Sequence, residues 1–125
     1  FGYKIITGGK TICYFTDNEI DPPYAKDIDF GQLAESCSNA DILIHDAQYT
    51  ADDMPLKHGW GHSLISQVTE LGHKAHVKNL AYYHHDPERS DDELDKLLQS
   101  QTEKLKELGS SVKPYFSYEG LEISL

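Results

Sequence analysis

Acidic residues and histidines are concentrated directly after three segments that have the composition of β-strands. The three clusters are Asp17-Asn18-Glu19, His45-Asp46 and His84-His85-Asp86. In open α/β sheets, ligands bind at the carboxyl ends of the strands, so clusters at three strand ends predict one shared site. Carboxylate and imidazole groups together favour Zn, Mn or Fe over an organic cofactor. The pattern therefore predicts a metal-dependent hydrolase.

Two further pairs of histidines lie outside these clusters. His58 and His62 flank a Gly-Trp-Gly turn just before a predicted helix, and the glycines let the backbone aim His62 at the start of that helix. His73 and His76 lie one turn apart on the same helix, a spacing that could chelate a metal on its surface. We keep His62 as a candidate and do not expect a metal site at His73 and His76, because no acidic residue joins them in the sequence.

Alternating strand and helix patterns surround these residues and predict an α/β fold. Residues 3–7 and 11–15 are rich in β-branched and aromatic types, and Gly8-Gly9 between them suits the tight turn of an antiparallel hairpin. Residues 21–24 interrupt the pattern. Further strands are predicted at residues 42–44, 78–83 and 115–124, and helices at residues 30–37, 63–75 and 90–108.

The third helix has the strongest signals. Ser90 and Glu93 have the spacing of a capping box, and Gly109 is the expected stop. Its apolar positions fall on one side and are predicted to face the core: Leu94, Leu97, Leu98, Leu105 and Leu108.

Composition limits the possible partners and locations. The 125 residues suffice for one domain, and 11 basic against 21 acidic residues give a net charge of −10, which repels phosphate unless cations offset it. Cys13 and Cys37 lie in apolar patterns that favour buried free thiols over a disulfide. No run approaches the roughly 20 apolar residues of a membrane span. We expect a soluble, cytoplasmic protein with no membrane partner.

Five segments resemble the metallo-β-lactamase superfamily, on its phosphodiesterase and ribonuclease Z-like side. They follow the family's order: Thr16-Asp17-Asn18-Glu19, the Ala-Asp-Ile-Leu-Ile-His-Asp-Ala run at 40–47, Gly61-His62-Ser63, the Leu-x-x-x-His run at 80–84, and Tyr118-Glu119-Gly120. The resemblance covers essentially the whole chain. It implies the carboxyl-terminal half of an αββα sandwich, in which a mixed sheet carries flanking helices.

The resemblance also implies roles for four side chains. Asp17 is similar to the carboxylate that bridges two metal ions, and His84 to the last metal-binding histidine. Asp46 and His62 match the acid and histidine that orient the substrate phosphate and relay protons. The implied cofactors are two divalent ions, Zn first with Mn or Fe as alternatives, and the implied reaction is attack of a metal-bridging hydroxide on a phosphodiester.

One part of the family pattern is missing. The family's H-x-H-x-D-H motif and a further histidine come earlier in the chain, and the histidine pairs present here have other spacings. Asp17 and His84 are too few donors for a dinuclear site. We therefore expect residues 1–125 to form a single, incomplete domain that is inactive alone. Its expected partners are a phosphodiester substrate and the missing amino-terminal half or a partner chain, with a homodimer left open.

Two non-catalytic alternatives remain at this stage. The strand ending at Asp46, followed by Met54-Pro55, resembles the phosphoacceptor strand of a response-regulator receiver domain. However, a receiver places a lysine after its fifth strand, whereas here the candidate strand that ends at His84-His85 is followed by no lysine until Lys96. A degenerate metallo-β-lactamase-like domain that only binds a partner through its sheet is the other alternative.

Overall fold

A mixed five-stranded sheet forms the centre of the molecule in the computed structural model, which describes residues 1–23 and 29–125. The strands are β1 (Gly2–Thr7), β2 (Lys10–Phe15), β3 (Ile42–Asp46), β4 (Asn79–Tyr83) and β5 (Lys113–Phe116), and they lie side by side in chain order. The first pair is antiparallel, and the remaining pairs are parallel. The predicted α/β class is therefore confirmed. Of the predicted break at 21–24, Tyr24 lies outside the described residues.

Three helices within the described residues pack on one face of this sheet. They are α1 (Phe30–Ser36), α2 (Ile65–Lys74) and α3 (Asp91–Glu107), with a short 3-10 turn at Ala51–Asp53. Cys13, Leu43 and Leu80 are neighbours in the strand register, so their side chains lie on the same face and form the buried floor of the core. Because side chains alternate along a strand, the residues between them line the opposite face.

The last nine residues cover part of that opposite face without forming a strand. The chain leaves β5 at Phe116 and turns at Tyr118–Gly120, after which Leu121, Ile123 and Leu125 line one groove together with sheet residues of that face. The prediction of a strand over 115–124 is wrong beyond Phe116. Alternate apolar side chains of this unpaired segment line the same groove, which gives it the period of two that suggested a strand.

Two sequence-predicted boundaries are confirmed in detail. Gly8 and Gly9 have φ of 55° and 73°, as the hairpin turn between β1 and β2 requires. At the start of α3, the Glu93 carboxylate accepts hydrogen bonds from the Ser90 amide and hydroxyl, both at 2.8 Å. The same helix provides one correction: Leu108 lies beyond its last residue and is 42% exposed, so it does not face the core.

The two cysteines are free and fully buried, as the sequence predicts. Cys13 lies on β2 and Cys37 follows α1, and both belong to the apolar core between sheet and helices. No helix within the described ranges is long and apolar enough to cross a membrane.

Asp41 aligns the amino ends of the central strands. Its carboxylate accepts hydrogen bonds from the Thr11 amide at 2.9 Å and from Lys78 Nζ at 2.8 Å, and Lys10 Nζ lies at 3.7 Å. Its backbone carbonyl accepts from the Asn79 side chain at 2.8 Å. Lys78 and the Thr11 amide together lower the Asp41 pKa to about 2. Because these contacts align the amino ends of β2, β3 and β4, the carboxyl ends of the three strands also lie at a similar level of the sheet.

A buried polar contact joins the second and third helices to the sheet. The Thr69 hydroxyl of α2 lies 2.7 Å from the Tyr82 hydroxyl of β4 and 2.7 Å from Gln101 Oε1 of α3. Burial raises the pKa of Tyr82, so its hydroxyl keeps its proton and can donate to Thr69. Thr69 can in turn donate to Gln101, and the chain of bonds satisfies three polar groups inside the core.

Replacing Thr69 by Val should therefore destabilise the fold without changing its shape. The substitution replaces the hydroxyl by a methyl group of similar size and leaves the polar groups of Tyr82 and Gln101 without this partner. The free energy of unfolding should therefore fall by about 1–3 kcal/mol. Thr102→Val, on the half-exposed side of α3, is the matched control and should stay within about 0.5 kcal/mol. Urea denaturation of the three proteins measures the difference. Equal losses for both variants would contradict the network.

The Asp41 contacts predict a pH dependence of stability. Because the folded pKa of about 2 lies below the unfolded value of 3.8, this carboxylate stabilises the fold fully above pH 3.8 and loses that effect as pH falls through 2. The stability difference between wild type and Asp41→Asn should therefore shrink between these pH values. Urea midpoints measured from pH 5 to pH 2 test this, with exposed Asp95→Asn as a control. A difference that is constant with pH would refute it.

Candidate functional site

Four side chains meet at the carboxyl edge of the central strands. Asp17 follows β2, Asp46 ends β3, His84 follows β4, and His62 lies just before α2. One ligand atom from each residue lies within 4.8 Å of the others. The parallel register explains the convergence, because Asp46 pairs with Tyr83 and the neighbouring strands end at the same level. The structure thus brings together all four residues that the sequence singled out.

Asp17 and His84 form the accessible rim of this cluster. Asp17 Oδ1 lies 3.4 Å from His84 Nε2, and the Asp17 side chain is 70% exposed. Both residues adopt left-handed backbone conformations, with φ of 47° and 59°. Such conformations are rare for residues other than glycine, and they turn the chain sharply where each strand ends. The sharp turns aim both side chains back across the sheet edge.

Asp46 is the buried base of the cluster. Its carboxylate accepts a hydrogen bond from His62 Nδ1 at 2.6 Å and one from the Ser63 amide at 3.1 Å, and the side chain is fully buried. Short bonds to an ionised acceptor are among the stronger hydrogen bonds in proteins. Because the Asp46 bond uses Nδ1, the imidazole of His62 has its Nε2 left for another partner. The pair therefore fixes both the orientation and the tautomer of His62.

Two rings enclose the His62 imidazole. Tyr49 approaches it edge-on, with ring centroids 5.7 Å apart, and His84 stacks on it at 4.7 Å. Lys57 Nζ lies 4.8 Å above the Tyr49 ring and 2.9 Å from Asp86. The ring of His62 is thus held by hydrogen bonding and packing together.

Ser63 is a site residue whose role sequence reasoning missed. Its hydroxyl is fully buried, donates to the Asn18 carbonyl at 2.6 Å and accepts from the Ile20 amide at 3.0 Å. A serine at a helix start suggests a capping residue, but here Leu64 occupies the capping position. The hydroxyl instead joins the segment after β2 to the segment carrying His62. Only its place next to His62 in the sequence was a signal.

The two other histidines of the three clusters, His45 and His85, lie outside the four-residue cluster. His45 is fully buried; its Nδ1 donates to the Asp46 carbonyl at 2.7 Å, and its Nε2 accepts from the Asn18 side chain at 3.3 Å. Burial lowers the His45 pKa and keeps it neutral. His85 turns away, stacks on Phe116 and bonds to the Ser117 carbonyl at 3.1 Å.

The remaining candidates, His73, His76, Asp86 and Glu19, lie outside the four-residue cluster. His73 and His76 have ring centroids 6.3 Å apart and are not part of the four-residue cluster. Asp86 pairs with Lys57, which lowers its pKa. Glu19, grouped with Asp17 in the sequence, is directed instead at the turn before His62, where it accepts from the Gly59 and Gly61 amides.

The donor set fits a divalent metal in part. Carboxylate and imidazole donors suit Zn, Mn and Fe, and His84 Nδ1 is a buried ring nitrogen with no hydrogen-bond partner among the described residues. Asp17 and His84 present accessible ligand atoms, whereas Asp46 and His62 are bonded to each other. Two accessible donors fill only part of the coordination shell that such ions require.

Comparison with known proteins finds relatives among the ribonucleases. No protein-family model matches the chain. Ribonuclease Z of Picrophilus torridus is 31% identical over 86 residues, which are 69% of this chain and 25% of that protein. Ribonuclease Z of Thermoplasma acidophilum is 33% identical over 60 residues, which are 48% of this chain and 20% of that protein. The chain therefore spans about a quarter or less of the length of these relatives.

A solved structure shows the fold. The metallo-β-lactamase fold protein YhfI from Bacillus subtilis superimposes with a TM-score of 0.69 at 19% identity, covering 96% of this chain and 42% of that protein. The mixed sheet with helices on one face is accordingly part of a metallo-β-lactamase fold. Together with the ribonuclease Z relatives, this shows that the chain belongs to the metallo-β-lactamase superfamily, in its ribonuclease Z-like branch, and corresponds to part of that fold.

Proposed function

We propose that this chain carries the carboxyl-terminal part of the active site of a metal-dependent phosphodiester hydrolase. The observation that carries the proposal is the convergence of Asp17, Asp46, His62 and His84 within 4.8 Å at one sheet edge. The names of the relatives add the substrate class, since they are ribonucleases, and a nucleic-acid phosphodiester is the substrate we propose.

We further propose that residues 1–125 are a single, incomplete domain. Asp17 and His84 are its accessible metal donors, and an amino-terminal half with the H-x-H-x-D-H motif, or a partner chain, supplies the rest. The large share of each relative that this chain does not cover supports this proposal. On this view the isolated chain is inactive, because too few donors surround each ion.

In the complete site, Asp17 and His84 would hold the metal ions, with Zn the first choice and Mn or Fe the alternatives. When bound, the ions supply the activated water and the positive charge that phosphodiester hydrolysis needs. That charge matters here because the chain has a net charge of −10. Among nearby basic side chains, Lys57 is already paired with Asp86 and Arg89 with Asp53.

His62 is proposed as the proton donor to the leaving oxygen. Its Nδ1 is bonded to Asp46, so its Nε2 is the nitrogen that can carry a proton toward a substrate. The buried Asp46 carboxylate stabilises the protonated imidazole and holds the ring against rotation. Ser63 fixes Asp46 from the other side through its amide. The full burial of Asp46 also argues against a receiver, whose phosphoacceptor must be accessible.

The metal assignment predicts weak binding by the isolated chain. Zn or Mn should be lost on dialysis from residues 1–125, whereas a protein that also carries the amino-terminal donors should retain it. His84→Ala in the longer protein should lower bound metal, because the remaining donors must hold an under-coordinated ion. His73→Ala, a histidine outside the cluster, is the control and should bind as wild type. Elemental analysis after dialysis gives the result; tight metal in the isolated chain would refute the assignment.

The proton-donor assignment predicts selective loss of activity. In the complete, metal-loaded enzyme, His62→Ala should slow hydrolysis of a substrate with an alkoxide leaving group by roughly 10²- to 10⁴-fold. A nitrophenyl phosphodiester should be much less affected, since its leaving group needs no proton, and metal content should be unchanged. Initial rates on both substrates test this. Equal slowing of both, or loss of metal, would show that His62 has a different role.

A further inference from the structure

A buried acid outside the proposed catalytic set holds the turn that presents His62. Glu19 Oε1 accepts a hydrogen bond from the Gly59 amide at 2.7 Å, and Oε2 accepts one from the Gly61 amide at 3.0 Å. The Glu19 side chain is only 3% exposed, and His58 Nε2 lies 3.8 Å away. Both carboxylate oxygens therefore bind the backbone of one short turn.

The backbone of this turn is shaped for that contact. Gly59 and Gly61 have φ of 91° and 93°, a region that residues with a side chain rarely adopt. In this conformation, the amides before and after Trp60 both point at the Glu19 carboxylate. Hydrogen bonds to an ionised acceptor are roughly twice as strong as neutral ones, and a buried amide that loses its acceptor is costly. The carboxylate is thus a main determinant of the turn's shape.

The contact between Glu19 and the turn also joins the segment that carries Asp17 to the segment that carries His62. Glu19 follows Asp17 by two residues, and the turn precedes His62 directly. Ser63 adds two more bonds between these segments, to the Asn18 carbonyl and from the Ile20 amide. The segment with the metal-binding carboxylate and the segment with the imidazole are therefore joined at both ends of the turn.

We propose that Glu19 is a positioning residue for His62. It does not reach the substrate; it fixes the Gly59–Gly61 turn so that His62 Nε2 stays at a set distance from the Asp17 side of the site. This inference rests on the proposed function of His62. A displacement of about 1 Å in a catalytic group can cost roughly 10²-fold in rate, so the geometry of the turn has a direct effect on proton transfer.

The turn contains its own reporter. Trp60 is the only tryptophan of the chain, lies at the centre of the turn and is 65% exposed. Time-resolved fluorescence anisotropy of Trp60 therefore measures motion of the turn without any metal or substrate. In Glu19→Gln, one acceptor oxygen and the charge are lost, and Trp60 should gain fast local motion. Asp52→Asn removes a charge from the same loop at an exposed position and should leave the anisotropy decay unchanged.

The kinetic test uses the complete, metal-loaded enzyme. Glu19→Gln should slow the alkoxide-leaving substrate by about 10- to 100-fold and the nitrophenyl substrate by much less, with metal content unchanged. A residue that only supports the fold would slow both substrates alike. Gly61→Ala strains the same turn through its backbone, because Gly61 has a φ of 93°, while the open space around it means that the added methyl group meets no clash. This variant should show the same selective slowing of the alkoxide-leaving substrate, and it keeps the test available if Glu19→Gln folds poorly.

The outcomes separate this inference from the proposed function. Unchanged Trp60 motion in Glu19→Gln would overturn the positioning role, whatever the enzyme does. Increased Trp60 motion with equal slowing of both substrates would also overturn it, provided that His62→Ala shows the leaving-group selectivity. If His62→Ala itself lacks that selectivity, the proton-donor assignment fails, and the positioning role of Glu19 fails with it.

Discussion

The buried carboxylate of Asp46 is the interaction on which the site depends. It ends the central strand β3, so its place is fixed by the pairing of β3 with both neighbours. From that place it binds His62 Nδ1 and the Ser63 amide, and these two contacts determine where α2 begins relative to the sheet. A buried carboxylate without hydrogen-bond partners would destabilise the fold. The same two bonds therefore stabilise the buried carboxylate and hold the site residues in place.

The parallel sheet brings the other site residues to the same edge as Asp46. Because β2, β3 and β4 are parallel and in register, residues that follow their ends arrive at one edge although they are far apart in sequence. Helices on one face fill the core, and the final segment lines a groove on the other face. The chemistry is therefore confined to the edge, where strand ends and loops leave polar side chains accessible.

Much of this arrangement could be predicted from the sequence, because strand patterns and the residues after them are local signals. Asp17, Asp46 and His84 were identifiable for that reason. The contacts of Glu19 and of the Ser63 hydroxyl were not, since their partners are backbone groups 40 or more positions away, where residue type gives no signal. The strand predicted over 115–124 was too long because the apolar side chains after Phe116 alternate with the period of a strand although that segment is unpaired.

The left-handed backbones of Asp17 and His84 have a consequence for the evolution of this edge. Each conformation costs of order 1–3 kcal/mol for a residue with a side chain. Glycine would relieve that strain, yet it would remove the carboxylate or the imidazole. Selection for a more stable fold and selection for a working site therefore act in opposite directions at these two positions, and a copy released from its activity would be expected to drift toward glycine there first.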